Sequence, residues 1–326
     1  MIRPGIPAPN LRPLMGVAVL REHGGVRYHE LRSRSLLNRC DSPRMPFRWT
    51  VNPYRGCAMG CRYCYAAYTH EFMGIDTPED FHSVVYVKTG AEGETARRLP
   101  PVVRRGELIA LGTATDPYQP AEAEARVTRR FLETVAALRR VRLGITTKGA
   151  LVLRDLDLLR RIHERSELSV HVSLISLDAA LLRRIEPWAP APEVRLTVMR
   201  RLAEAGIRVS ISVAPVLPAL TDDEAGLDAL LAAAAAVGVR AASCNILFLR
   251  SPTREKYLRW LAREFPRYQQ AYEEAYDGRV YLGGRYRERL HTLVRRLREK
   301  HGLANAFGNE EGPRRPAAPA QLRLWA

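Results

Sequence analysis

The sequence predicts an α/β protein with a largely parallel sheet, and two observations support this prediction. Short apolar segments of strand type alternate with amphipathic helical segments six times between residues 49 and 250. Strands that alternate with helices pair in parallel through right-handed crossovers, which gives either a barrel or a doubly wound sheet. With 326 residues, 46% of them hydrophobic, the chain is also long enough to bury a core of that size.

The six predicted strands are short, and each leads into small or polar residues. In chain order they are Thr50–Tyr54, Glu107–Gly112, Val141–Thr147, Ser169–Ser173, Ile207–Val213 and Arg240–Leu249.

Helix-end signals separate these strands. A helix is predicted over about residues 121–140, and Asp155 is placed as the N-cap of the next one. Gly206 is predicted as a left-handed C′ residue, and Thr221–Glu224 as a capping box. Ser251-Pro252 is predicted to be the N-cap and the first residue of the following helix.

The composition divides the chain into four predicted parts. They are an N-terminal extension on the domain surface (1–48), the core domain (49–250), a C-terminal helical extension (251–305) and a flexible tail (306–326). Within the core domain, residues 75–106 look like an insertion, in which Val84–Lys88 is predicted to add an edge strand.

The chemistry in this sequence centres on a cluster of three cysteines. Cys57, Cys61 and Cys64 have the spacing C-x3-C-x2-C. Thiolates are soft ligands that suit zinc and iron–sulfur iron. Three ligands are one fewer than a closed structural site uses, so the spacing predicts either an open coordination position or a fourth ligand elsewhere.

Two alternatives to an open site follow from the same residues. His70 lies six positions after Cys64, so it completes a possible Cys3His zinc site. Cys40 is a second candidate for a fourth ligand, although an incidental thiol is the simpler interpretation. A disulfide fits poorly because the thiols are crowded and their number is odd.

The cysteine spacing, with Tyr63 just before the third cysteine, resembles the cluster-binding signature of the radical S-adenosylmethionine (SAM) enzymes. The resemblance implies a [4Fe–4S] cluster held by Cys57, Cys61 and Cys64, whose fourth iron binds the amino and carboxylate groups of S-adenosylmethionine. It also implies reductive cleavage to a 5′-deoxyadenosyl radical, with an electron from a donor such as flavodoxin or ferredoxin. Six strand–helix units then predict a partial (β/α)6 barrel with its chemistry at the carboxyl ends of the strands.

From about Asn52 to Asp222 the chain resembles the DNA-repair branch of that superfamily, which is related to spore photoproduct lyase. The residues that carry this resemblance follow the predicted strands, and they include the Glu186-Pro187 pair. The resemblance implies that Thr115 and Asp116 take the methionine amino group and that Lys148 takes the carboxylate. Ser173, for which Ser176 is an alternative, is implied on the ribose side. The other implied cofactor-binding residues are Tyr63, Arg195 and Ala214.

One departure from that branch concerns the hydrogen-atom donor. The lyases carry a donor cysteine in the loop after the second strand, where this chain has Gly112-Thr113-Ala114. Cys244, near the end of the sixth strand, is the remaining candidate donor, although a buried, inert cysteine is the simpler interpretation. We therefore do not expect lyase activity on thymine lesions. The chain is more similar to bacterial relatives labelled lyase-like or photolyase-like radical proteins.

The charge balance points to a polyanionic partner. Lys and Arg number 51 and Asp and Glu 35, which gives a net charge of +16. Such an excess favours nucleic acid, although an Arg-rich composition also arises from base composition or thermophily. We expect a radical SAM enzyme that acts on nucleic acid, in DNA repair or modification. The alternatives are the same chemistry on a protein or small molecule, or a zinc-stabilised nucleic-acid-binding protein.

The C-terminal third adds two possible contact regions. Arg285–His301 is predicted to form a basic surface helix with phosphate-binding potential or a merely solvated face. Aromatic residues between 257 and 276 either stack bases or pack helices together. The last segment, Gln321–Trp325, resembles the motif that docks into the bacterial sliding clamp. Intramolecular packing of Trp325 is the alternative.

The expected location is the cytoplasm. The sequence has no apolar run of about 18 residues that would span a membrane and no secretory leader, so no membrane association is expected. Five cysteines, three of them clustered, fit a reducing compartment better than a disulfide-bonded exported chain.

Overall fold

A computed structural model describes residues 19–23, 25–43, 45–73 and 80–306, without the side chains of 19–23 and 71–73. The strands are β1 (Val19–His23), β2 (Val26–Arg32), β3 (Leu37–Arg39), β4 (Trp49–Val51), β5 (Tyr54–Arg55), β6 (Val84–Thr89), β7 (Leu108–Leu111), β8 (Arg142–Thr147), β9 (Glu167–Ser173), β10 (Arg208–Val216), β11 (Ala241–Ile246) and β12 (Ala304–Asn305).

The helices alternate with these strands through most of the chain. They are α1 (Asp80–Ser83), α2 (Glu92–Arg104), α3 (Glu122–Ala125), α4 (Val127–Ala136), α5 (Leu156–His163), α6 (Ala179–Ile185), α7 (Pro192–Glu204), α8 (Glu224–Ala236), α9 (Thr253–Glu264), α10 (Gln269–Ala275) and α11 (Gly284–Lys300). Short 3-10 helices cover Tyr65–Met73, Ala150–Asp155 and Pro266–Tyr268.

The main sheet confirms the predicted fold class. Among the described residues it has eight strands in the order β12-β11-β10-β9-β8-β7-β4-β3, and all are parallel except β3 at one edge. The six strands β4, β7, β8, β9, β10 and β11 are the six predicted ones. Because β3 and β12 lie at opposite ends of the strand order, the sheet is open, as a partial barrel requires.

The apolar pattern of the strands explains their burial. Leu168, Val170 and Val172 of β9 are each at most 1% exposed, and the flanking helices cover the sheet with their own apolar stripes, such as Leu158, Leu159 and Ile162 of α5. Parallel strands that are covered in this way carry near-continuous β-branched and aliphatic residues.

A second sheet joins the N-terminal region to the predicted insertion. Its order is β1-β2-β6-β5, with β6 parallel to β2 and antiparallel to β5. The prediction of a strand at Val84–Lys88 is confirmed, but its placement at an edge is wrong. Five consecutive residues of β6, Val84–Lys88, are buried, and the strand pairs with β2 at one edge and with β5 at the other. The division into four predicted parts stays a prediction.

Several helix ends differ from the sequence expectations. The predicted helix over 121–140 is divided into α3 and α4 by Arg126, which has a left-handed φ of 50°. The side chain that caps α8 is that of Asp223, which accepts from Gly226 N at 2.7 Å, so the predicted capping box at Thr221 is wrong. Thr221 instead accepts from Leu217 N at 2.8 Å. Gly206 has the predicted positive φ, 78°.

Two further helix starts were placed correctly only in part. Asp155 occupies the N-cap position of α5 but makes no capping hydrogen bond, because its carboxylate binds Arg129 and Arg154. The N-cap of α9 is Pro252 rather than Ser251, so the helix begins one residue later than predicted. No helix in the described ranges has the length and apolar character needed to cross a membrane.

The C-terminal helices pack through the aromatic residues that the sequence singled out. Tyr257, Trp260, Tyr272 and Tyr276 are buried, and the Tyr257 and Tyr272 rings lie 5.7 Å apart. These four side chains therefore join α9 to α10 and are not exposed for base stacking. Basic residues of α11 also pair within the chain, since Arg296 contacts Glu224 at 2.6 Å and Lys300 contacts Asp228 at 2.7 Å.

Candidate functional site

The cysteine loop lies between β5 and the 3-10 helix Tyr65–Met73, beyond the carboxyl end of β4. Cys57 and Cys61 are buried and Cys64 is half-buried. Three backbone contacts hold the loop: Cys57 N donates to Phe81 O at 2.9 Å, His82 Nδ1 lies 2.8 Å from Cys57 O, and Thr253 Oγ1 donates to Cys64 O at 2.7 Å. Segments that are distant in sequence therefore fix the thiols in place.

Two glycines allow the loop to take this path. Gly56 has φ +83°, and a Cβ there would lie 2.4 Å from Val84 O. Gly60 has φ +70°, and a Cβ there would lie 2.6 Å from Cε3 of Trp188. L-residues with a side chain rarely adopt this φ region, so both positions need glycine for conformation and for space.

The three thiols act on one another electrostatically. Burial raises the pKa of Cys57, and Asp116, Cys61 and Cys64 raise it further. Burial also raises the pKa of Cys61 to about 12, against the opposing effect of Lys148. A bound cationic metal centre would offset this cost of ionising buried thiols. Three such thiols on one loop thus fit the donor set of an iron–sulfur cluster.

The zinc alternative finds no support in the position of His70. Its Nε2 lies 3.0 Å from Val84 O, and its ring packs edge-on against Phe81 with centroids 5.1 Å apart. His70 therefore belongs to the packing between the loop and the second sheet.

Thr115 connects the end of β7 to the cysteine loop. Its Oγ1 donates to Gly56 O at 2.7 Å and accepts from Gln119 Nε2 at 3.0 Å. The other end of Gln119, Oε1, accepts from Ala58 N at 3.0 Å. Thr115 and Gln119 thus hold the backbone of the cysteine loop against the strand ends.

Asp116 connects β7 to β8. Its Oδ1 accepts from Thr147 Oγ1 at 2.6 Å and from Tyr118 N at 2.9 Å. Its Oδ2 accepts from Lys148 N at 2.7 Å. The carboxylate therefore fixes the backbone at Lys148, whose side chain extends into the same site.

Glu186 is the centre of the charged network beside the cysteines. It accepts a hydrogen bond from Tyr63 OH, and its Oε2 lies 2.5 Å from Arg195 Nη2. Lys148 Nζ lies 3.9 Å from Glu186 Oε1 and 5.7 Å from the centre of the Tyr63 ring. Burial acts to raise the pKa of Glu186, but Arg195 and Lys148 outweigh it and hold that pKa below its usual value.

Lys148 keeps its positive charge in this setting. Burial acts to lower the pKa of Lys148, but Cys61, Glu186 and Asp116 outweigh it and raise that pKa. Its contact with Glu186, at 3.9 Å, is longer than a hydrogen bond. The ammonium group therefore has donors available for a ligand carboxylate.

Arg195 is 1% exposed and uses its guanidinium within the chain. Besides Glu186, it donates to Ser173 O at 3.0 Å and to Pro190 O at 2.7 Å. Its predicted cofactor contact stays a prediction, and so does that of Ser173, which is 4% exposed.

The last two predicted positions lie on neighbouring strands. Cys244 of β11 is in register with Val213 of β10, so it sits beside Ala214, the next residue of β10. Both side chains are half-buried. The structure thus brings the cysteines, Tyr63, Thr115, Asp116, Lys148 and Arg195 into one connected network, whereas Ala214 on β10 and Cys244 on β11 lie two and three strands away from β8. The predicted roles of Ala214 and Cys244 stay predictions.

Sequence reasoning missed three supporting residues. Gln119, His82 and Thr253 all bind the cysteine loop, and none lies within a recognisable motif. Glu186 was named in the sequence as part of the Glu186-Pro187 pair that carries the resemblance, but its place at the centre of a charged network was not predicted. A signal was available for Gln119, because it follows Thr115 by four residues in a segment rich in prolines.

Comparison with known proteins places the chain among enzymes. The family model described as the radical SAM superfamily matches residues 51–231. An uncharacterized protein of Mycobacterium tuberculosis is 39% identical over 296 residues, which is 90% of this chain and 85% of that protein. An uncharacterized protein of Methanocaldococcus jannaschii is 29% identical over 180 residues, covering 54% of this chain and 63% of that protein.

The fold also matches solved structures. A spore photoproduct lyase mutant with bound AdoMet and dinucleoside spore photoproduct superposes with a TM-score of 0.65 at 16% identity, covering 85% of this chain and 81% of the other. Another mutant of the same lyase gives a TM-score of 0.64 at 17% identity over the same shares. At such identities the likeness shows the shared fold.

Proposed function

This chain belongs to the radical SAM superfamily of enzymes, and we propose that its substrate is a nucleic acid, which it repairs or modifies. Enzymes of this superfamily use a [4Fe–4S] cluster and S-adenosylmethionine. Cys57, Cys61 and Cys64 would hold the cluster. When reduced, it supplies the electron that cleaves the sulfonium of the cofactor.

The residues around the cysteines bind and orient the cofactor. Lys148 would take its carboxylate, since the ammonium is charged and is not fully engaged by Glu186. Thr115 and Asp116 would take its amino group. Asp116 also fixes the Lys148 backbone at 2.7 Å, so both ends of the amino-acid moiety are recognised by one hydrogen-bonded unit.

The protein also keeps water from the reacting centre. Cys57 and Cys61 are 8% and 6% exposed, and Trp188 covers Gly60 on the outer side of the loop. Tyr63, which donates to Glu186, is also only 6% exposed. Low exposure of these side chains would protect a reactive radical from quenching by solvent.

The observation that carries the nucleic-acid substrate is the net charge of +16. Each phosphate that a basic residue contacts releases counterions, so this excess favours a polyanion over a neutral small molecule. The fold agrees with this proposal, because the lyase that superposes on this chain was solved with a dinucleoside spore photoproduct.

Anaerobic turnover with deuterated DNA tests the proposal. The reconstituted enzyme is expected to transfer deuterium from the DNA into 5′-deoxyadenosine. Its affinity for DNA is expected to fall steeply between about 50 and 200 mM salt. Absence of deuterium transfer from DNA and RNA alike, together with salt-independent binding, would contradict a nucleic-acid substrate.

Two protein partners complete the proposal. An electron donor such as flavodoxin or ferredoxin would reduce the cluster, and replacing dithionite by reduced flavodoxin in the turnover assay tests it. The sliding-clamp motif Gln321–Trp325 lies outside the described residues. Clamp affinity is expected to disappear when residues 319–326 are deleted, and an affinity that survives the deletion would exclude this motif as the contact.

A further inference from the structure

Exposed aromatic side chains gather near the cysteine loop. Within the part of the chain that the structure describes, five large hydrophobic side chains are more than a third exposed. Three of them are aromatic, namely Tyr65 (45%), Trp188 (53%) and Tyr281 (45%). We refer to Tyr65, Trp188 and Tyr281 together as the aromatic rim.

The ring of Tyr65 is exposed while its hydroxyl is held in place by a hydrogen bond. It follows Cys64 directly, and its OH donates to Thr113 O in the loop beyond β7. The hydrogen bond anchors the polar tip of the side chain while the ring stays exposed. An anchored ring loses little conformational entropy when a flat group stacks on it.

Tyr281 lies on the same side of the sheet, after the carboxyl end of β11. It forms an isolated antiparallel bridge with Phe248, and their ring centroids are 4.7 Å apart. Leu249 N donates to Val280 O at 2.9 Å, next to Tyr281, and Thr253 Oγ1 donates to Cys64 O at 2.7 Å, next to Tyr65. The short segment 249–253 therefore connects the surroundings of the two tyrosines.

Trp188 borders the cysteine loop from another side. A Cβ placed on Gly60 would lie 2.6 Å from Cε3 of Trp188, so the indole packs against the loop backbone. Two residues earlier, Glu186 contacts Tyr63 and Lys148 inside the site. The exposed part of the indole therefore lies close to the cysteine loop and to the Glu186 network.

The charge beside the rim is positive. Arg250 is exposed and directly follows Leu249, whose N donates to Val280 O at 2.9 Å, so Arg250 and Tyr281 lie on neighbouring paired segments. No carboxylate of the described residues pairs with the Arg250 guanidinium. An unpaired cation next to exposed aromatic faces is the combination that binds single-stranded nucleic acid, since every base offers a π face and every nucleotide a phosphate.

We propose that the aromatic rim stacks unpaired bases of a single-stranded or locally opened nucleic acid, and that Arg250 contacts a neighbouring phosphate. This inference rests on the proposed function and narrows its substrate class. Bases within a duplex are already stacked and hide their faces, so the rim selects nucleotides outside the helix. The reacting nucleotide is thereby presented beside Lys148 and the cysteine loop.

Binding of a fluorescein-labelled single-stranded oligodeoxynucleotide to the reconstituted enzyme tests this proposal. Trp188→Ala and Tyr281→Ala are each expected to weaken binding about 5- to 150-fold, with an unchanged dependence on salt. Trp188→Phe keeps a stacking face and is expected to stay within about 3-fold of the wild type. Arg250→Ala is expected to reduce the slope of log affinity against log salt by about 1.

Controls separate stacking from other causes. Val194→Ala removes an equally exposed aliphatic side chain (42%) and is expected to leave oligonucleotide affinity unchanged. An oligonucleotide with abasic sites is expected to bind the wild type as weakly as the normal strand binds the Ala variants. For the Ala variants, the abasic and normal strands are expected to bind with the same affinity. Iron content and circular dichroism report loading and folding. If Trp188→Ala fails to load, Tyr281→Ala carries the test.

Three results would overturn the proposal. They are wild-type affinity in both Ala variants, an equal loss for duplex and single strand, or a loss confined to S-adenosylmethionine affinity, which would assign Trp188 to the cofactor. A wild-type enzyme that binds no nucleic acid would instead refute the proposed function itself.

Discussion

Two buried glutamates, Glu122 and Glu186, have the same kinds of neighbouring side chains but differ in whether they leave a charged group available to a ligand. Glu122 and Glu186 are 0% and 2% exposed, each accepts a hydrogen bond from a tyrosine, and each pairs with an arginine. The tyrosine of Glu122 is Tyr54 and that of Glu186 is Tyr63. Composition and burial alone would give the two carboxylates the same role.

Their remaining contacts distinguish them. Glu122 also accepts from the backbone amides of Thr128 at 2.9 Å and Arg129 at 3.1 Å, and from Arg154 at 2.7 Å. Glu186 is held by side chains, one of which is Lys148 at 3.9 Å. A carboxylate saturated by backbone amides secures the fold, whereas one that leaves a lysine partly free belongs to an adjustable binding site.

The largest expected effect tests the structural half of this comparison. Glu122→Ala leaves the buried Tyr54 hydroxyl and the amides of Thr128 and Arg129 without their acceptor, and it leaves Arg154 with Asp155 alone. We therefore expect the free energy of unfolding to fall by about 3–5 kcal/mol in a urea titration. The affinity of folded protein for S-adenosylmethionine is expected to stay within about 2-fold. A variant with full stability and lost cofactor affinity would reverse the roles of Glu122 and Glu186.

A buried histidine, His171, makes the free energy of unfolding depend on pH independently of Glu122 and Glu186. His171 lies on β9 with Nδ1 2.5 Å from Ser210 Oγ, and burial lowers its pKa to about 4. Its unfolded pKa is about 6.5, so the unfolded chain binds more protons between those values. Stability from this residue is therefore complete above about pH 6.5 and is lost as the pH falls towards 4.

His171→Gln is expected to remove that acid sensitivity. When the pH is lowered from 7 to 4, the unfolding free energy of the variant should fall by about 3 kcal/mol less than that of the wild type. Urea titrations across this range measure the difference. Parallel pH profiles for the two proteins would show that His171 is not buried in its neutral form.

The contrast also predicts that Lys148, which Glu186 leaves partly free, contributes to the binding free energy of S-adenosylmethionine, by less than Glu122 contributes to stability. Lys148→Met keeps the length and apolar stem of the side chain but removes the charge that Glu186 leaves available. We expect the dissociation constant for S-adenosylmethionine to rise about 10- to 100-fold, the value of a charged hydrogen bond. Equilibrium dialysis with the reconstituted protein measures it.

Lys88→Met is the matched control for that experiment. Lys88 is a second buried lysine, 8% exposed on β6, and burial lowers its pKa to about 8. It has no place in the Glu186 network, so its loss should leave cofactor affinity unchanged. Equal effects of both substitutions would show that loss of any buried lysine disturbs the site.

The smallest expected effect concerns the helix that ends at Glu186. Asp178 caps α6 by accepting from Leu181 N at 2.9 Å, and Asp178→Ala should cost about 1 kcal/mol of unfolding free energy. Because Glu186 directly follows α6, cofactor affinity should also fall a few-fold. Asp223→Ala removes the equivalent cap of α8 at a similar cost, and is expected to leave cofactor affinity intact.

The sequence predicted the six parallel strands because their burial pattern is local, and it predicted the cysteine loop because its ligands lie within eight residues. The partners of β6 and the contacts of Gln119 escaped prediction, because they depend on pairings between distant segments. The contrast between Glu122 and Glu186 was equally invisible. This contrast depends on the backbone amides of Thr128 and Arg129, which donate to Glu122 and have no counterpart at Glu186 among the described contacts.

The central claim, that Cys57, Cys61 and Cys64 hold the cluster that cleaves S-adenosylmethionine, is tested most directly by anaerobic reconstitution. Wild type and Cys40→Ala are predicted to bind about four iron atoms per chain and to form 5′-deoxyadenosine when reduced. Cys61→Ala is predicted to lose both properties. A Cys61→Ala protein that keeps its iron and still cleaves the cofactor would contradict the account.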